Sequence, residues 1–433
     1  MLAISVLLIV AFAISCALGK AEATRPLLVL GFAGVAIASR GVKSLKGVSY
    51  SLWILTAVSL SMSYPSAFLG VGDFSFKKLI VPLLQIIMFG MGSQMTLRDF
   101  AGVIKMPKGV IIGLLCQFTI MPIMGFLVAK TFGFQPEIAA GIILVGSSPS
   151  GLASNVMAFL AKANLALSIT LTAVATLMAP LMTPLLMKLF AGEMVEIEYL
   201  KMMVGIFNMV ILPICAGLTF SLFANGATRH KHKIIQIGAY LSIILLKNVM
   251  SLQGSEAGMA GLGVGMLKDA LFFSVLPIFL AFLFKWLANG RKEVLEKILS
   301  LVSMVGIAVI ITVITAAGRD SLLKIGLLLM AACFLHNIFG YTLGYFFARL
   351  LRMDERDCRT IAIEVGMQNG GLASGLALQM GKVATVGLAP AIFGPMMNIT
   401  GSSLATWWRG KPLTDHKKSE PKTPTIELET KNG

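Results

Sequence analysis

Two polar runs interrupt the apolar stretches of this 433-residue chain, and their side chains could bind ions. Residues 146–155 read GSSPSGLASN, with serines, a proline and glycines, and residues 364–374 read EVGMQNGGLAS, with an acid, two amides and adjacent glycines. Proline and glycine disfavour regular helix, so we expect the helix to unwind in both runs. Unwound backbone frees carbonyl oxygens for cations, and the N-terminus of the next half-helix can face an anion.

The same tetrapeptide, Gly-Leu-Ala-Ser, occurs in both runs, at residues 151–154 and 371–374. The two copies lie about half the chain apart, which indicates an internal repeat. Paired interrupted helices at corresponding positions of two repeats are typical of a transporter whose site lies near the middle of the bilayer.

Glu364 is the one acidic residue that we place well inside an apolar segment, where a charge needs a partner. No cation lies near it in its own segment, whereas a bound hard cation would compensate the charge and suits the nearby Ser, Thr, Asn and Gln oxygens. Sodium fits better than a transition metal, because no His or Cys cluster accompanies Glu364. The alternative is a structural ion pair with Lys247, the one lysine deep in an apolar stretch, which could also extend to the nearer interface.

His336 and Asn337 form a polar pair inside another segment, beside two glycines at small-xxx-small spacing, which favours helix packing over a ligand role. A membrane enzyme would need a nucleophile with a base, or a metal cluster. None of the four histidines lies near Ser154 or Glu364 in sequence, although folding could bring His336 close. We therefore expect that this protein is not an enzyme.

The composition requires a lipid bilayer as solvent, since 57% of residues are apolar, 13% are charged and the mean hydropathy is +0.86. A helix needs ~20 apolar residues to span the bilayer, and the chain contains about 14 apolar stretches of roughly that length. We therefore predict an all-α polytopic membrane protein. The segments lie near residues 2–18, 26–40, 50–66, 77–95, 107–130, 137–160, 165–190, 201–223, 234–250, 269–288, 298–317, 322–349, 360–380 and 384–408.

The net charge of +16 comes from short loops rather than from one basic block, so it indicates membrane topology and not nucleic-acid binding. One alternate set of loops is rich in cations: Arg40, Lys43, Lys46, Arg98, Lys105, Lys108, Arg229, Lys231, Lys233, Arg291, Lys292, Lys297, Arg349, Arg352, Arg356 and Arg359. The other set is poorer in cations and holds Asp73, Glu193, Glu196, Glu198 and Glu256. The positive-inside rule then places both termini in the cytoplasm, in a cell (inner) membrane.

The two ends of the chain carry separate expectations. The first segment could be a cleaved secretory signal, although no basic residue precedes its apolar run. Residues 409–433 are polar and poor in apolar side chains, which predicts a disordered cytoplasmic tail.

Three groups of residues resemble the bile acid:sodium symporter family. They are residues 146–184, with Ala153-Ser154-Asn155, Ala166-Leu167-Ser168 and Ala179-Pro180; the run Glu364-Val365-Gly366-Met367-Gln368-Asn369; and Gln117-Phe118 followed by Met121-Pro122. The resemblance implies two inverted five-helix repeats that form a panel domain and a core domain, with two crossing broken helices.

The resemblance covers two parts of the chain, residues 50–223 with the first broken helix at 137–160, and residues 296–408 with the second at 360–380. About four further segments then remain, two within residues 1–42 and two within 234–288. Their role does not follow from the resemblance.

Carried over by position, the resemblance implies two sodium sites and a substrate site. One sodium site would use Ser154, Asn155, Ser168, Thr172 and Glu364. The other would use Gln117, Glu364, Val365, Met367 and Gln368, with backbone carbonyls from Val365 and Met367. The substrate would meet Leu152, Asn369, Gly370 and Asn398. Taken alone, Ser168 and Thr172 are more typical of contacts between helices.

The function implied is sodium-coupled symport of a small organic anion by alternating access, with two Na⁺ per substrate and no obligate protein partner evident. This chain has Ser150-Gly151-Leu152 where many relatives have Gly-Gly-Thr, and Met397 where relatives often have His. The anion would be a monocarboxylate or a bile-acid-like molecule, and small monocarboxylates such as keto or hydroxy acids are favoured over steroids. The alternative is a sensor or binding protein that keeps the anion and sodium sites without transport.

Overall fold

The computed structural model describes residues 2–18, 21–39, 41, 49–96, 99, 102–224, 230–252, 258–288 and 292–413, and it is helical almost throughout. Each predicted apolar segment coincides with one or more helical elements. Within the described residues, seven helices are long and apolar enough to cross a membrane: Phe76–Gln94, Pro107–Thr131, Leu165–Ala191, Tyr199–Ala224, Gly263–Trp286, Lys297–Ala317 and Arg319–Leu350.

Some predicted features fall outside these residues. They are the tail from residue 414 onward and the loop residues Arg40, Lys43, Lys46, Arg98, Arg229, Glu256 and Arg291.

The chain begins with α1 (Leu2–Ala17), α2 (Ala21–Ser39) and α3 (Ser49–Ser63). α2 packs against both neighbours. Its contact with α1 is close because Gly34 lacks a side chain: a Cβ there would lie 2.1 Å from Ser5 Oγ.

A short hairpin, which the sequence did not predict, separates α3 from α4. A 3₁₀ turn (Pro65–Phe68) leads into β1 (Gly70–Val71), which pairs antiparallel with β2 (Phe74–Ser75) through a turn where Gly72 has φ +54°. Such a positive φ is accessible to glycine at little cost. A second 3₁₀ turn (Phe76–Leu79) then continues into α4 (Ile80–Gln94).

The first polar run lies in the next block of helices. These are α5 (Gly102–Lys105), α6 (Pro107–Thr131), α7 (Pro136–Ser147), α8 (Leu152–Leu160) and α9 (Leu165–Ala191). Proline opens α6 and α7, where its missing N–H has no helical partner to lose. Asn164 caps α9 by accepting a hydrogen bond from Leu167 N at 3.2 Å.

The middle of the chain contains two π-helical turns. α10 (Tyr199–Ile206) joins α11 (Leu212–Ala224) through Phe207–Ile211, and after α12 (His230–Leu252), α13 (Gly258–Ala270) joins α14 (Leu276–Ala288) through Leu271–Val275. The hydroxyl of Tyr240 on α12 lies 3.1 Å from Leu212 O and 2.6 Å from Phe273 O. One side chain thus links the extra helices α12 and α13–α14 to α11.

Lys247 has a different partner from the one considered above. Its Nζ lies 2.8 Å from Asp269 Oδ2, which also accepts a hydrogen bond from Asn248 Nδ2 at 2.8 Å. The suggested pairing of Lys247 with Glu364 is therefore wrong. The expectation that Glu364 is the one acid inside a span is wrong too, because Asp269 is 7% exposed and lies within the apolar stretch Gly263–Trp286.

The last block contains the second polar run. It consists of α15 (Lys292–Ala317), α16 (Arg319–Leu350), α17 (Glu355–Gly366), α18 (Gly370–Gln379) and α19 (Leu388–Arg409). The interrupted pairs α7–α8 and α17–α18 pack among α6, α9, α16 and α19, whereas α4 packs against α11 and α15. The inverted repeats and the panel and core domains stay predictions.

Arg359, assigned above to a cation-rich loop, lies in α17 and is 1% exposed. Its guanidinium donates to Glu355 Oε1 at 2.8 Å and to the carbonyl oxygens of Ala161 and Trp408 at 3.3 and 3.0 Å. A buried arginine with this many partners ties the start of α17 to the ends of α8 and α19.

Candidate functional site

The first interruption is a stretch of extended backbone between α7 and α8. Ser148 and Gly151 have ψ angles of 154° and 164°, so the chain leaves the helix at Ser147 and re-enters it at Leu152. Pro149 cannot donate a backbone hydrogen bond, which agrees with the predicted break.

The second interruption separates α17 from α18. Met367 is extended at φ −107° and ψ 104°, and Asn369 caps α18 because its Oδ1 accepts a hydrogen bond from Leu372 N at 3.0 Å. Both breaks therefore occur within the polar runs from which they were predicted.

The two interruptions cross and pair through their backbones. Ser150 and Gln368 form an antiparallel bridge, Asn369 N donates to Pro149 O at 2.8 Å, and Gly151 N donates to Met367 O at 3.4 Å. Backbone groups freed by one break are thus satisfied partly by the other. The crossing brings residues from distant parts of the chain within hydrogen-bond reach.

The carboxylate of Glu364 lies in a cluster of hydroxyl groups and is 2% exposed. Its Oε1 lies 2.5 Å from Ser168 Oγ, and its Oε2 lies 2.6 Å from Ser150 Oγ and 2.9 Å from Thr172 Oγ1. Among the ion pairs of the described residues, none involves Glu364. A buried carboxylate held only by neutral hydroxyls keeps a strong demand for positive charge.

Asn155 and Ser154 complete this oxygen cluster. Asn155 Oδ1 lies 2.8 Å from Ser168 Oγ and 3.3 Å from Thr172 Oγ1, and Ser154 Oγ lies 3.3 Å from Thr172 Oγ1. The hydroxyls of Ser168 and Thr172 each carry one hydrogen but face two acceptors, Asn155 Oδ1 and a Glu364 oxygen. This surplus of lone pairs over hydrogens suits a hard cation with oxygen ligands.

The second predicted set comes together only in part. Gln117 Nε2 on α6 donates to Gln368 Oε1 at 2.8 Å and to Ser148 O at 3.0 Å, and Gln368 Nε2 donates to Val365 O at 2.5 Å. Gln117 Oε1 is buried without a hydrogen-bond partner. That orphaned acceptor oxygen fits a cation.

Two members of the second set differ from the others. Met367 O accepts the hydrogen bond from Gly151 N, and the Glu364 carboxylate is directed to the hydroxyl cluster through Ser150, Ser168 and Thr172. Glu364 therefore belongs by contact to the first set, and it adjoins the second through the chain.

Two of the predicted substrate residues lie near Gly394 of α19. Asn398 Nδ2 donates to Gly394 O at 3.0 Å, and a Cβ at Gly370 would lie 3.7 Å from Gly394 Cα. A Cβ at Gly394 itself would meet nothing within 4 Å, so open space adjoins this glycine.

The other two substrate residues lie at helix starts. Leu152 is the first residue of α8 and is half-buried, while Asn369 is buried with its Oδ1 engaged in the cap of α18. Both follow the crossing directly, at the N-termini of the second half-helices.

Ser150 was not among the predicted ion ligands, although it hydrogen-bonds directly to Glu364. Its position in the first polar run was a usable signal, but the resemblance drew attention to its departure from the common pattern. Asn337, for which the sequence analysis favoured helix packing, donates from Nδ2 to Gly366 O at 2.8 Å, at the end of α17. His336 has the predicted packing contacts, with Nε2 lying 2.9 Å from Met121 O and the ring against Phe393.

Known proteins resemble this chain over most of its length. Residues 81–259 match the model of the sodium bile acid symporter family. A Bacillus subtilis protein named an uncharacterized sodium-dependent transporter, YocS, is 34% identical over 86% of this chain and 94% of the relative. Identity is 30% to a probable sodium/metabolite cotransporter, chloroplastic BASS1 of Arabidopsis thaliana, over 83% of this chain and 73% of the relative.

A more distant animal relative also matches. It is the ileal sodium/bile acid cotransporter of Oryctolagus cuniculus, with 26% identity over 67% of this chain and 67% of the relative. These relatives are named as transporters and not as enzymes.

Proposed function

Because this chain belongs to the sodium bile acid symporter family, a family of sodium-dependent transporters, we propose that it carries a small organic anion into the cell together with two sodium ions. The family and the apolar helices support an integral membrane protein. We further propose a cell (inner) membrane location with both termini cytoplasmic.

The observation that carries the proposal is the buried carboxylate of Glu364 among hydroxyl and amide oxygens. Ser150, Ser168 and Thr172 surround it at 2.5 to 2.9 Å, without a cationic side chain among its described contacts. One sodium ion would bind among the carboxylate, hydroxyl and amide oxygens. It would then be the positive partner of the carboxylate, in place of the hydroxyl hydrogens that face it without the ion. The second would use Gln117 Oε1 with Gln368 and the carbonyl of Val365.

Sodium binding would join the two interruptions. Asn155 lies on α8, Ser168 and Thr172 on α9, and Glu364 on α17, so a cation at these oxygens would hold both interrupted pairs against α9 in one arrangement. The half-helix ends at Leu152 and Asn369 would then be positioned to receive a carboxylate. Rocking of the predicted core against the predicted panel would expose the site to each side in turn.

The charge balance makes the cycle able to accumulate substrate. Two cations with one monovalent anion move one net positive charge inward, which is worth about 2.3 kcal/mol per charge at 100 mV. We propose a small monocarboxylate, such as a keto or hydroxy acid, because Ser150, Leu152 and Met397 differ from the residues that many relatives have.

The test is uptake by proteoliposomes that contain the purified protein and carry an inward sodium gradient. Labelled monocarboxylates and bile acids are screened for uptake with sodium outside and again with choline in its place. We expect sodium-dependent uptake of a monocarboxylate with an inward current, and its loss in Glu364→Gln.

A matched control is Glu193→Gln, which removes one carboxylate from an exposed position in the predicted loop after α9. It should transport as the wild type does. Uptake that is independent of sodium or produces no current contradicts two-ion symport. Sodium binding without uptake of any anion favours the alternative, a sensor or binding protein.

A further inference from the structure

A basic cleft lies between the start of α6 and the turn that joins α16 to α17. Its volume is about 650 Å³, and four of its lining residues are cationic: Lys105, Lys108, Arg349 and Arg352. Asp354 and Asp357 also line it, so the lining keeps an excess of positive charge. None of the oxygen-cluster residues described above lines this cleft.

Three of the four cations are free of carboxylate partners within the described part of the chain. Arg349 Nη1 lies 3.9 Å from Glu355 Oε2, whereas the ion pairs found there include none with Lys105, Lys108 or Arg352. Lys108 Nζ lies 3.5 Å from the carbonyl oxygen of Arg352, which brings the two walls together. On the acidic side, Asp357 is already engaged by Asn164 Nδ2 at 2.8 Å.

Exposed apolar side chains flank both walls of the cleft. Ile104, next to Lys105, is 86% exposed, and Leu350, next to Arg349, is 75% exposed. Solvent-exposed residues of this size are unfavourable in water but suit the boundary between lipid headgroups and acyl chains. Apolar surface beside the cations would place them at the depth of the headgroups.

We propose that this cleft binds the headgroup of an anionic phospholipid, with the phosphate at Lys105, Lys108 and Arg352 and the acyl chains along Ile104 and Leu350. Basic pockets between membrane helices are suited to phosphate-bearing headgroups. The cleft belongs to the cation-rich set of loops, which the positive-inside rule places at the cytoplasmic leaflet, where anionic lipids are attracted. The proposal does not depend on the identity of the transported anion.

The test measures lipid retention by native mass spectrometry of the full-length protein. The protein is released from micelles that contain equal amounts of phosphatidylglycerol and phosphatidylcholine. The wild type should retain phosphatidylglycerol in preference to phosphatidylcholine. Lys105→Gln/Lys108→Gln should lose about thirtyfold in phosphatidylglycerol affinity, because two phosphate-facing charges are removed.

Lys77→Gln/Lys78→Gln is the matched control, because it also removes two charges but from the 3₁₀ turn before α4. It should bind phosphatidylglycerol as the wild type does. Arg352→Gln is an independent variant on the other wall and should weaken binding in the same direction. Thermal unfolding in phosphatidylcholine alone checks that each variant is folded.

Three outcomes overturn the proposal. The wild type could show no preference for phosphatidylglycerol, or the control could lose as much affinity as the cleft variant. Inorganic phosphate at an equal concentration could also displace the lipid, which would identify a site for a soluble anion and not for a headgroup.

Discussion

Two threonines one turn apart on α9 provide a matched test of the oxygen cluster. Thr172 and Thr176 are both buried, at 1% and 2% exposure, and valine has nearly the shape of threonine. Thr172 Oγ1 lies 2.9 Å from Glu364 Oε2, whereas Thr176 Oγ1 donates only to the backbone oxygen of Thr172 at 2.7 Å. Thr172→Val should therefore weaken sodium binding, and Thr176→Val should not.

The size of the effect follows from the type of contact. Thr172→Val removes one ligand oxygen from the sodium-bound state, a loss comparable to that of a hydrogen bond to a charged group, about 1.5–3 kcal/mol. At about 1.4 kcal/mol per tenfold, sodium affinity should fall roughly 10- to 150-fold. Thr176→Val removes a local bond to a neutral carbonyl, so its sodium affinity should stay within about threefold of the wild-type value.

The assay is the sodium dependence of thermal unfolding of the purified protein, with choline as the replacement cation. Sodium that binds only the native state raises the melting temperature, and the concentration dependence gives its affinity without knowledge of the substrate. A single cooperative unfolding transition in choline shows that each variant is folded. Wild-type sodium affinity in Thr172→Val, or equal losses in both variants, would refute the assignment of Thr172 to the ion site.

Other substitutions test the remaining contacts. Ser150→Ala should also weaken sodium binding by about 1.5–3 kcal/mol in the same assay, because its hydroxyl oxygen, which lies beside Glu364, would be lost as a ligand of the bound ion; an unchanged affinity contradicts a role for the missed residue. Gln117→Leu should remove the second ion and lower the Hill coefficient of sodium-dependent uptake toward one, and an unchanged coefficient argues against that site. Lys247→Met should lower the free energy of unfolding by about 3–5 kcal/mol, because it leaves Asp269 buried and unpaired. Adding Asp269→Leu should restore most of that stability. Sodium affinity should be unchanged in both variants. A double variant as unstable as the single one contradicts a pairing effect.

Much of the architecture was predictable because apolar length and helix-breaking residues act locally. Every predicted segment contains helix, and the proline and glycines of residues 146–155 lie where α7 stops. The glycine pair that follows Asn369 likewise opens α18. The family pattern added which distant oxygens meet: Ser168, Thr172 and Glu364 are in direct contact.

The errors concern long-range partners and segment ends. Asp269 was placed at the end of a segment, but the helix begins earlier, at Gly258, so this acid is buried and is the partner of Lys247. Arg359 was assigned to a loop, but it is buried in α17. The carbonyl oxygens that accept its hydrogen bonds, those of Ala161 and Trp408, come from other parts of the chain. Neither partnership leaves a local signal in composition or spacing.

The Gly-Leu-Ala-Ser repeat proved informative about position. Both copies lie at the start of a second half-helix, where Ser154 Oγ donates to Gly151 O and Ser374 Oγ donates to Gly370 O. Their roles then differ, because Ser154 also contacts Thr172 in the oxygen cluster. A repeated sequence thus predicted matching local structure, while the ion contacts depend on which helix crosses beside it.

The most direct measurement is equilibrium binding of radioactive sodium to the purified wild-type protein and to Glu364→Gln, without any substrate. If Glu364 is the charge that compensates the sodium ion of the oxygen cluster, the wild type should bind two ions per molecule with saturation, and the variant should lose at least one of them at the same sodium concentrations. Undiminished sodium binding by a folded Glu364→Gln protein would contradict the account.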